Sequence, residues 1–530
     1  MRTIAVCGLV AALAATGLAD IAQAQSMGGM GGGGMGGGGM GGGGMGGGHG
    51  GGRGGHRGQK GAGQGAPGQA PVAGNRPAPA EVPAIMRLNG VVTVAGETKA
   101  LSKTTVTAAK TDQSAVFAER NAQLTLDGMQ ISSSSDVSNV GDGHDVGLAS
   151  ALLVASQSAV TVTGGTIATT GNGVNALFIG DAGSRAALKG ANLSTRASNA
   201  GGIVLNPGAA LQADSVTVAT LSDHAPAVTV AGHATLTGGR YATSGPLSPV
   251  FAVSGDLTTT GIIADAGHAD AVTVDGPRHL DLTDSQLHAD NAGIRLFASD
   301  TGPAAGGPRP GRMGMGRPGA DGAGPNGPGS GGPGMGGSGA GGHGMVAVTT
   351  NAYMSDADAH APATVKLTGG TLAAQGEVFT VSNLTADIAL DHVALSSGNG
   401  ILVKAFAGTS GQLGRNGGTA HIIAHNQALA GDVVTDVISS VRLTLNDHSQ
   451  LTGKTTTDTD VVLDATSTWS LTGDSKVGKL NDPDGISGDT VANIVGNGHT
   501  LIYDQRYNPA LGGKTYALAG GGSLVPGSGL

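Results

Sequence analysis

Residues 236–282 read LTGGRYATSGPLSPVFAVSGDLTTTGIIADAGHADAVTVDGPRHLDL. Within this stretch a short alternating segment returns every 23 residues, so that Leu236 and Leu282 hold equivalent places two steps apart. The same step of 23 residues separates Leu367 from Leu390. A fixed period in the twenties is typical of solenoid proteins, whose repeats stack on one another. The stretch therefore predicts a repeat architecture.

Two kinds of strand-like segment occur in the repeats. In both, apolar residues alternate with small or polar ones, as expected for strands with one buried face. The first kind carries an apolar pair two residues apart: Leu124 and Leu126, Val160 and Val162, Ala234 and Leu236, Leu280 and Leu282, Val365 and Leu367, Ile388 and Leu390, and Leu443 and Leu445. The second kind recurs between them, at Gly173–Leu177, Gly202–Leu205, Ala271–Val274, Gly293–Leu296 and Gly400–Val403.

Segments this short, with no helical pattern between them, exclude a sheet of β-α-β units, because those crossovers take about a dozen residues. A leucine-rich repeat is disfavoured because its LxxLxLxxN pattern is missing. The prediction is an all-β, right-handed parallel β-helix with two or three short strands per rung, a rung being one full turn of the solenoid; the handedness follows from the crossover preference. Residues 85–300 and 346–530 then hold about 17 rungs.

Glycine is concentrated in two tracts. Of 100 glycines in 530 residues, 27 lie between residues 28 and 68 and 20 between residues 302 and 344. The first tract belongs to a leader over residues 25–84, which is predicted to be disordered because it has too little apolar surface to form a core. The second is predicted to be a Gly/Pro-rich loop over residues 301–345, since repeat proteins carry insertions on one face.

Charge and aromatic content exclude other classes of protein. The chain has 28 basic and 37 acidic residues, a formal net charge of −9, which argues against nucleic-acid binding because phosphate contacts need a basic surface. Charged residues make up only 12% of the chain and aromatic ones 2%. A charge-laced helical protein is therefore excluded, and a Gly/Ala/Thr/Val-rich β protein is favoured.

The N-terminus predicts export. Arg2 precedes an apolar run over residues 4–18, and Ala22-Gln23-Ala24 follows it, so residues 1–24 are predicted to be a secretory signal peptide. The run is shorter than the about 20 residues of a membrane-spanning helix, and we expect no transmembrane segment in the mature chain. The only cysteine, Cys7, lies in this segment, so disulfides and thiol chemistry are not expected. The expected destination is the periplasm, the cell surface or the extracellular space.

The leader has a methionine every five residues and two histidines, namely Met30, Met35, Met40, Met45, His49 and His56. Thioether and imidazole groups are ligands for soft metals such as Cu(I). The same composition is typical of a flexible, glycine-rich chain with no site at all. Both interpretations stay open.

Residues 464–480, DATSTWSLTGDSKVGKL, resemble the A-x-W-x-L-x-G-x-S-x-V-x-x-L rung near the end of autotransporter passenger domains of the pertactin type. Residues 512–524, GGKTYALAGGGSL, are similar to the hairpin that closes such passengers. The resemblance covers residues 440–526 by motif and residues 85–440 by repeat style only. It implies that residues 346–445 continue the β-helix and that residues 446–530 form passenger-like C-terminal rungs and a cap.

The same resemblance implies a right-handed parallel β-helix displayed outside the cell for adhesion, with Trp469 in the core of a terminal rung. That family normally continues into a C-terminal translocator barrel, which does not follow in this sequence. A barrel-less relative, a fragment and a product of separate export machinery are the three interpretations.

Four clusters combine acidic residues with histidine: Asp142, His144 and Asp145; Asp265, His268 and Asp270; Asp284, His288 and Asp290; and Asp356, Asp358 and His360. In an extended strand, the spacing of two in the last cluster places Asp356, Asp358 and His360 on one face, where they could bind a divalent cation. Aspartate is also a common turn residue, which is the competing explanation. No catalytic residue and no cofactor is assigned.

The function that the sequence favours is an adhesin-like scaffold, secreted or surface-displayed, that presents loops to other cells, matrix or polysaccharide and is not an enzyme. The alternative is a polysaccharide lyase or glycosidase. Glycosidases pair carboxylates about 5 to 9.5 Å apart. Acidic residues that converge with an arginine or lysine in a groove on one face would favour this alternative.

Overall fold

The computed structural model describes residues 82–299, 361–456 and 459–528. These residues form an all-β solenoid of about 16 turns built on parallel sheets. The predicted β-helix is therefore confirmed, with three strands in each regular rung. The predicted signal peptide, nearly all of the leader, and the 301–345 loop lie outside the described residues.

Three parallel sheets, A, B and C, receive one strand each from successive rungs. Sheet A contains β1 (Gly90–Ala95), β4 (Ser114–Glu119), β7 (Leu152–Val154), β10 (Leu177–Ile179), β13 (Ile203–Leu205), β16 (Val228–Val230), β19 (Phe251–Val253), β22 (Val272–Asp275), β25 (Ile294–Phe297), β28 (Phe379–Ser382), β31 (Ile401–Phe406) and β34 (Asp432–Thr435). Sheet B contains β2 (Thr98–Ser102), β5 (Gln123–Asp127), β8 (Ala159–Thr163), β11 (Arg185–Lys189), β14 (Ala210–Asp214), β17 (His233–Thr237), β20 (Asp256–Thr260), β23 (His279–Thr283), β26 (Ala363–Thr368), β29 (Thr385–Asp391), β32 (Thr419–His425), β35 (Ser440–Asn446), β37 (Thr459–Leu463) and β40 (Leu480–Asn481).

Sheet C contains β3 (Thr105–Ala108), β6 (Gln130–Ser133), β9 (Thr166–Thr169), β12 (Asn192–Thr195), β15 (Thr217–Thr220), β18 (Arg240–Thr243), β21 (Ile263–Ala266), β24 (Gln286–Ala289), β27 (Thr371–Ala374) and β30 (Ala394–Ser397). A fourth sheet, D, serves the last rungs with β33 (Ala428–Ala430), β36 (Gln450–Thr452), β38 (Thr468–Ser470), β39 (Ser475–Val477), β41 (Ile486–Ser487), β42 (Thr490–Val495), β43 (Thr500–Asp504), β44 (Tyr516–Ala519) and β45 (Ser523–Gly527). Short 3-10 turns occupy Ala84–Met86 and Pro509–Leu511.

The apolar pairs identified in the sequence stack inside sheet B. Leu236 pairs in register with Thr259, and Thr259 with Leu282, which confirms the 23-residue step. Leu282 then pairs directly with Leu367 although the two are 85 residues apart. The stack of rungs is therefore continuous across the insertion. The inward side chains of sheet B are buried while their neighbours are mostly exposed, as strand alternation requires.

Glycine shapes the corner between sheets B and C. Gly238 and Gly239 join β17 to β18 with φ of +59° and +87°, a left-handed backbone that other residues rarely adopt. A Cβ atom on Gly239 would lie 2.2 Å from the backbone oxygen of Val216 in the preceding rung. The tight stacking of rungs at this corner therefore requires glycine.

A short helix that the sequence pattern does not predict lies beside sheet A near the N-terminal end. Helix α1 (Val140–Val146) falls in the 36-residue step between the β5 and β8 positions. Asn139 caps it by accepting a hydrogen bond from the Gly141 backbone N–H at 2.9 Å. Buried side chains of sheet A form an outward apolar row in this region: Phe117, Leu153, Phe178 and Val204.

The C-terminal rungs contain a buried tryptophan and two antiparallel strand pairs. Trp469 is fully buried, and its indole N–H donates to the Gly453 carbonyl at 3.0 Å. Strands β44 and β45 pair antiparallel, which is the hairpin predicted over residues 512–524. Nearby, β41 pairs antiparallel with β42.

Candidate functional site

The outer face of sheet C carries a shallow cleft lined by charged side chains. It has a volume of about 190 Å³ and crosses four successive strands, β18, β21, β24 and β27. Strand register forms two columns of outward side chains there. One column contains Arg240, Ile263, Gln286 and Thr371, and the other contains Ala242, Asp265, His288 and Ala373.

Charged groups converge in this cleft on Asp265. Arg240 Nη2 lies 3.2 Å from Asp265 Oδ2, and His288 Nδ1 lies 3.2 Å from Asp265 Oδ1. All three side chains are between 44 and 49% exposed, so solvent and ligands reach them. The carboxylate orients both partners, and an Nδ1–H donated to it leaves His288 Nε2 as the free acceptor.

The floor of the cleft is apolar while its rim is polar. Ile263 is 39% exposed between Arg240 and Gln286, and Ala373 leaves room beside His288. An apolar floor edged by a few oriented hydrogen-bonding groups is the usual composition of a small-ligand site.

The cleft holds fewer carboxyl groups than a glycosidase site needs. Among its lining residues Asp265 supplies the single carboxylate, and both of its oxygens already face a partner. A glycosidase needs a second carboxyl group across the bond that is broken.

A larger depression, of about 340 Å³, lies on sheet B. Half of its lining residues are alanine, and Arg185 and Gln212 are the long polar side chains. Because no acidic side chain lines it, it lacks the oriented charged groups that distinguish the cleft on sheet C.

The cluster Asp142, His144 and Asp145 lies on helix α1. Asp142 forms an ion pair with Arg87, which also binds Asp112 at 2.8 Å. Burial lowers the pKa of His144 and raises the pKa of Asp145. These shifts follow from the packing of α1, and the three side chains do not form a metal-binding group.

The members of the next two clusters have different hydrogen-bond partners. Asp265 and His288 meet in the cleft, although the sequence clusters place them in different groups. His268 Nδ1 lies 3.1 Å from the Ser244 carbonyl, and its backbone N–H donates to Asp290 at 3.0 Å. Asp270 accepts two hydrogen bonds from the guanidinium of Arg295, at 2.6 and 3.1 Å. Asp284 lies at the sheet B to sheet C corner with φ of +49°.

The candidate metal ligands Asp356, Asp358 and His360 lie outside the described residues. Among the residues that the structure does describe, no three His, Asp or Glu side chains are grouped so as to hold a metal ion.

The basic partners of Asp265 and Asp270 are not evident from the local sequence, because they lie far from these carboxylates along the chain. Arg240 precedes Asp265 by 25 residues, and Asp270 precedes Arg295 by 25. These offsets are one rung long, so the repeat period itself could have identified both pairs.

A scan against protein-family models finds no match, and a search of curated proteins finds no similar sequence. No helix in the described part of the chain is long and apolar enough to cross a membrane.

Proposed function

We propose that the protein is an exported, adhesin-like β-solenoid that is displayed at the cell surface or released, and that binds a polysaccharide or another surface or matrix ligand. The observation that carries this proposal is the cleft on sheet C, where Arg240, Asp265 and His288 lie exposed on a regular flat face. Stacked strands repeat such a face rung after rung, which suits contact with an extended polymer.

Two features support export and passenger-like identity. The signal-peptide pattern over residues 1–24 directs the chain across the inner membrane. The resemblance of residues 464–480 and 512–524 to autotransporter passengers agrees with the buried Trp469 and with the antiparallel β44–β45 hairpin.

The second candidate is a polysaccharide-active enzyme, and one observation favours it. An acidic residue does converge with an arginine and a histidine in a groove on one face. Binding accounts for the arrangement better, because the cleft offers one carboxylate, shared between two partners.

Binding of the full chain to immobilised polysaccharides and matrix proteins tests the proposal. The variant Arg240→Gln/Asp265→Asn removes the ion pair while it keeps both side chains polar, and we expect about tenfold weaker binding, the loss of about one good polar contact. The matched control is Lys189→Gln/Asp214→Asn, which removes an exposed pair at 3.6 Å on sheet B.

Equal binding by both variants would contradict the assignment of the cleft. Release of new reducing ends from a polysaccharide, abolished by Asp265→Asn alone, would replace the binding function with the enzymatic one.

A further inference from the structure

The loop that follows β40 is rich in carboxylates that have no basic partner. Asp482, Asp484 and Asp489 fall within eight residues of sequence, DPDGISGD. None of them pairs with a lysine, arginine or histidine among the described residues, where 16 other carboxylate groups form such pairs and 11 others do not. The loop is therefore an uncompensated concentration of negative charge.

Asp482 is the unusual member of this loop because it is buried, with only 2% of its surface exposed. Its Oδ1 accepts from the Gly485 backbone N–H at 3.1 Å and from Asn493 Nδ2 at 2.9 Å. Its Oδ2 has no hydrogen-bond partner within the described chain, and neither has Asn493 Oδ1. Buried polar atoms are nearly always partnered, so two adjacent exceptions need an explanation.

The two unpartnered oxygens point to the same place. A Cβ atom on Gly485 would lie 2.4 Å from Asp482 Oδ2 and 2.0 Å from Asn493 Oδ1, which puts the oxygens within 4.4 Å of each other (2.4 + 2.0). Any larger residue than Gly485 would occupy that place.

Turning over the Asn493 amide does not give every oxygen of the two side chains a hydrogen-bond donor. An amide has one oxygen and one NH₂ group, while an ionised carboxylate has only acceptors. After such a flip the amide oxygen would face Asp482 Oδ1, so that two acceptors would be in contact there. A cation between the side chains would satisfy both oxygens at once, as would a shared proton or a bridging water molecule that donates to both.

We propose that this loop binds a hard divalent cation of the calcium type, with Asp482 Oδ2 and Asn493 Oδ1 as ligands. Carboxylate and amide oxygens are the ligands that Ca²⁺ takes, at about 2.3 to 2.6 Å, and two oxygens within 4.4 Å can share one such ion. Asp484, two residues from Asp482 in the same turn, adds a second negative charge to the loop. Backbone carbonyls and water would complete the coordination.

The loop is not an EF-hand. Its Asp482-Pro483-Asp484-Gly485 stretch matches the third to sixth positions of an EF-hand loop, but the first and twelfth positions, which are ligands in an EF-hand, hold Leu480 and Val491 here. A bound cation would link the loop to β42, which carries Asn493, and would therefore stabilise the C-terminal end of the solenoid. This inference is independent of the proposed adhesive function.

The competing occupant is a proton. Burial raises the pKa of Asp482, and a protonated carboxyl could donate to Asn493 Oδ1. A group whose pKa is raised on folding takes up a proton, so that stability would increase as the pH falls and decline as the pH rises through the folded-state pKa. The two occupants therefore predict different responses to metal and to pH.

Thermal unfolding of the full chain in EDTA, in Ca²⁺ and in Mg²⁺ distinguishes them. We expect Ca²⁺ to raise the melting temperature of the wild-type chain and calorimetric titration to give one site, because a ligand that favours the folded state raises its stability. Asp482→Asn should lose the shift. The control Asp436→Asn, whose carboxylate accepts from the Ala407 and Ile438 backbone N–H groups in a different turn, should keep it.

No calcium shift in the wild-type chain would overturn the proposal, as would an equal shift in wild type and Asp482→Asn. A shared proton would be recognised by a melting temperature that rises at acidic pH and that Ca²⁺ leaves unchanged. Should Asp482→Asn fail to fold, Asp484→Asn serves as the second variant, and it should weaken calcium affinity by about tenfold.

Discussion

A single buried side chain, that of Trp469, fills the interior of one of the last rungs. Trp469 is the chain's only tryptophan, and it fills the interior of β38 while its N–H satisfies the Gly453 carbonyl. The resemblance of residues 464–480 to a terminal passenger rung predicts a tryptophan in the core at this position. The burial of Trp469 confirms that prediction.

Replacing Trp469 with alanine should lower the free energy of unfolding by about 3 to 5 kcal/mol, since a fully buried aromatic leaves a large cavity. Urea unfolding followed by circular dichroism measures the effect. Tyr507→Ala is the control, because Tyr507 is 59% exposed and its loss should change stability by less than about 0.5 kcal/mol. Equal losses in both variants would mean that Trp469 is not a core residue.

The residues of the cleft were only partly predictable. Asp265 and His288 stand out in the sequence as acidic and histidine residues near corners, but Arg240 does not, since nothing charged lies near it along the chain. The three meet because strands one rung apart are hydrogen-bonded neighbours. Arg240 lies 25 residues before Asp265 and His288 lies 23 residues after it, so their side chains are adjacent on the sheet.

Among the elements, the sheet B strands were the most predictable. Their strict alternation shows which side chains are inside, and the stacked register repeats that pattern from Leu124 to Leu445. Helix α1 could not be predicted, because its sequence VGDGHDV has two glycines, two aspartates and no helical apolar period. Packing of Val140 and Val146 against a small buried cluster stabilises it in place of intrinsic helix propensity.

Alanine substitutions at Gly238 and Gly239 distinguish the cost of backbone strain from the cost of a steric clash. Both residues have positive φ, so alanine at either should cost about 1 to 2 kcal/mol of stability. At Gly238 the nearest atom to an added Cβ is Ser215 Oγ at 3.6 Å, whereas at Gly239 it is the Val216 carbonyl oxygen at 2.2 Å. Gly239→Ala should therefore unfold at clearly lower urea than Gly238→Ala. Indistinguishable midpoints would contradict the close stacking at this corner.

For the whole solenoid, the main hazard is its open strand edges. In the described chain β1, β2 and β3 each have a neighbour on one side only. Unpaired edges can join other molecules, and an inward-pointing charge is a known protection against it. Lys99 has that position, because it is in register with the buried Leu124 of the next rung and its ammonium lies 3.7 Å from Glu97.

Lys99→Leu should therefore increase self-association. Leucine would continue the apolar column that starts at Leu124 and would remove the charge that opposes end-to-end stacking. Sedimentation velocity of the purified chain over a concentration series measures the effect, and we expect dimers or larger species at concentrations where the wild-type chain stays unassociated. Lys110→Leu makes the same change of composition at an exposed corner, so it should leave the distribution unchanged. If Lys110→Leu associated as strongly as Lys99→Leu, added surface hydrophobicity would explain the result, and the N-terminal rung would need another form of protection.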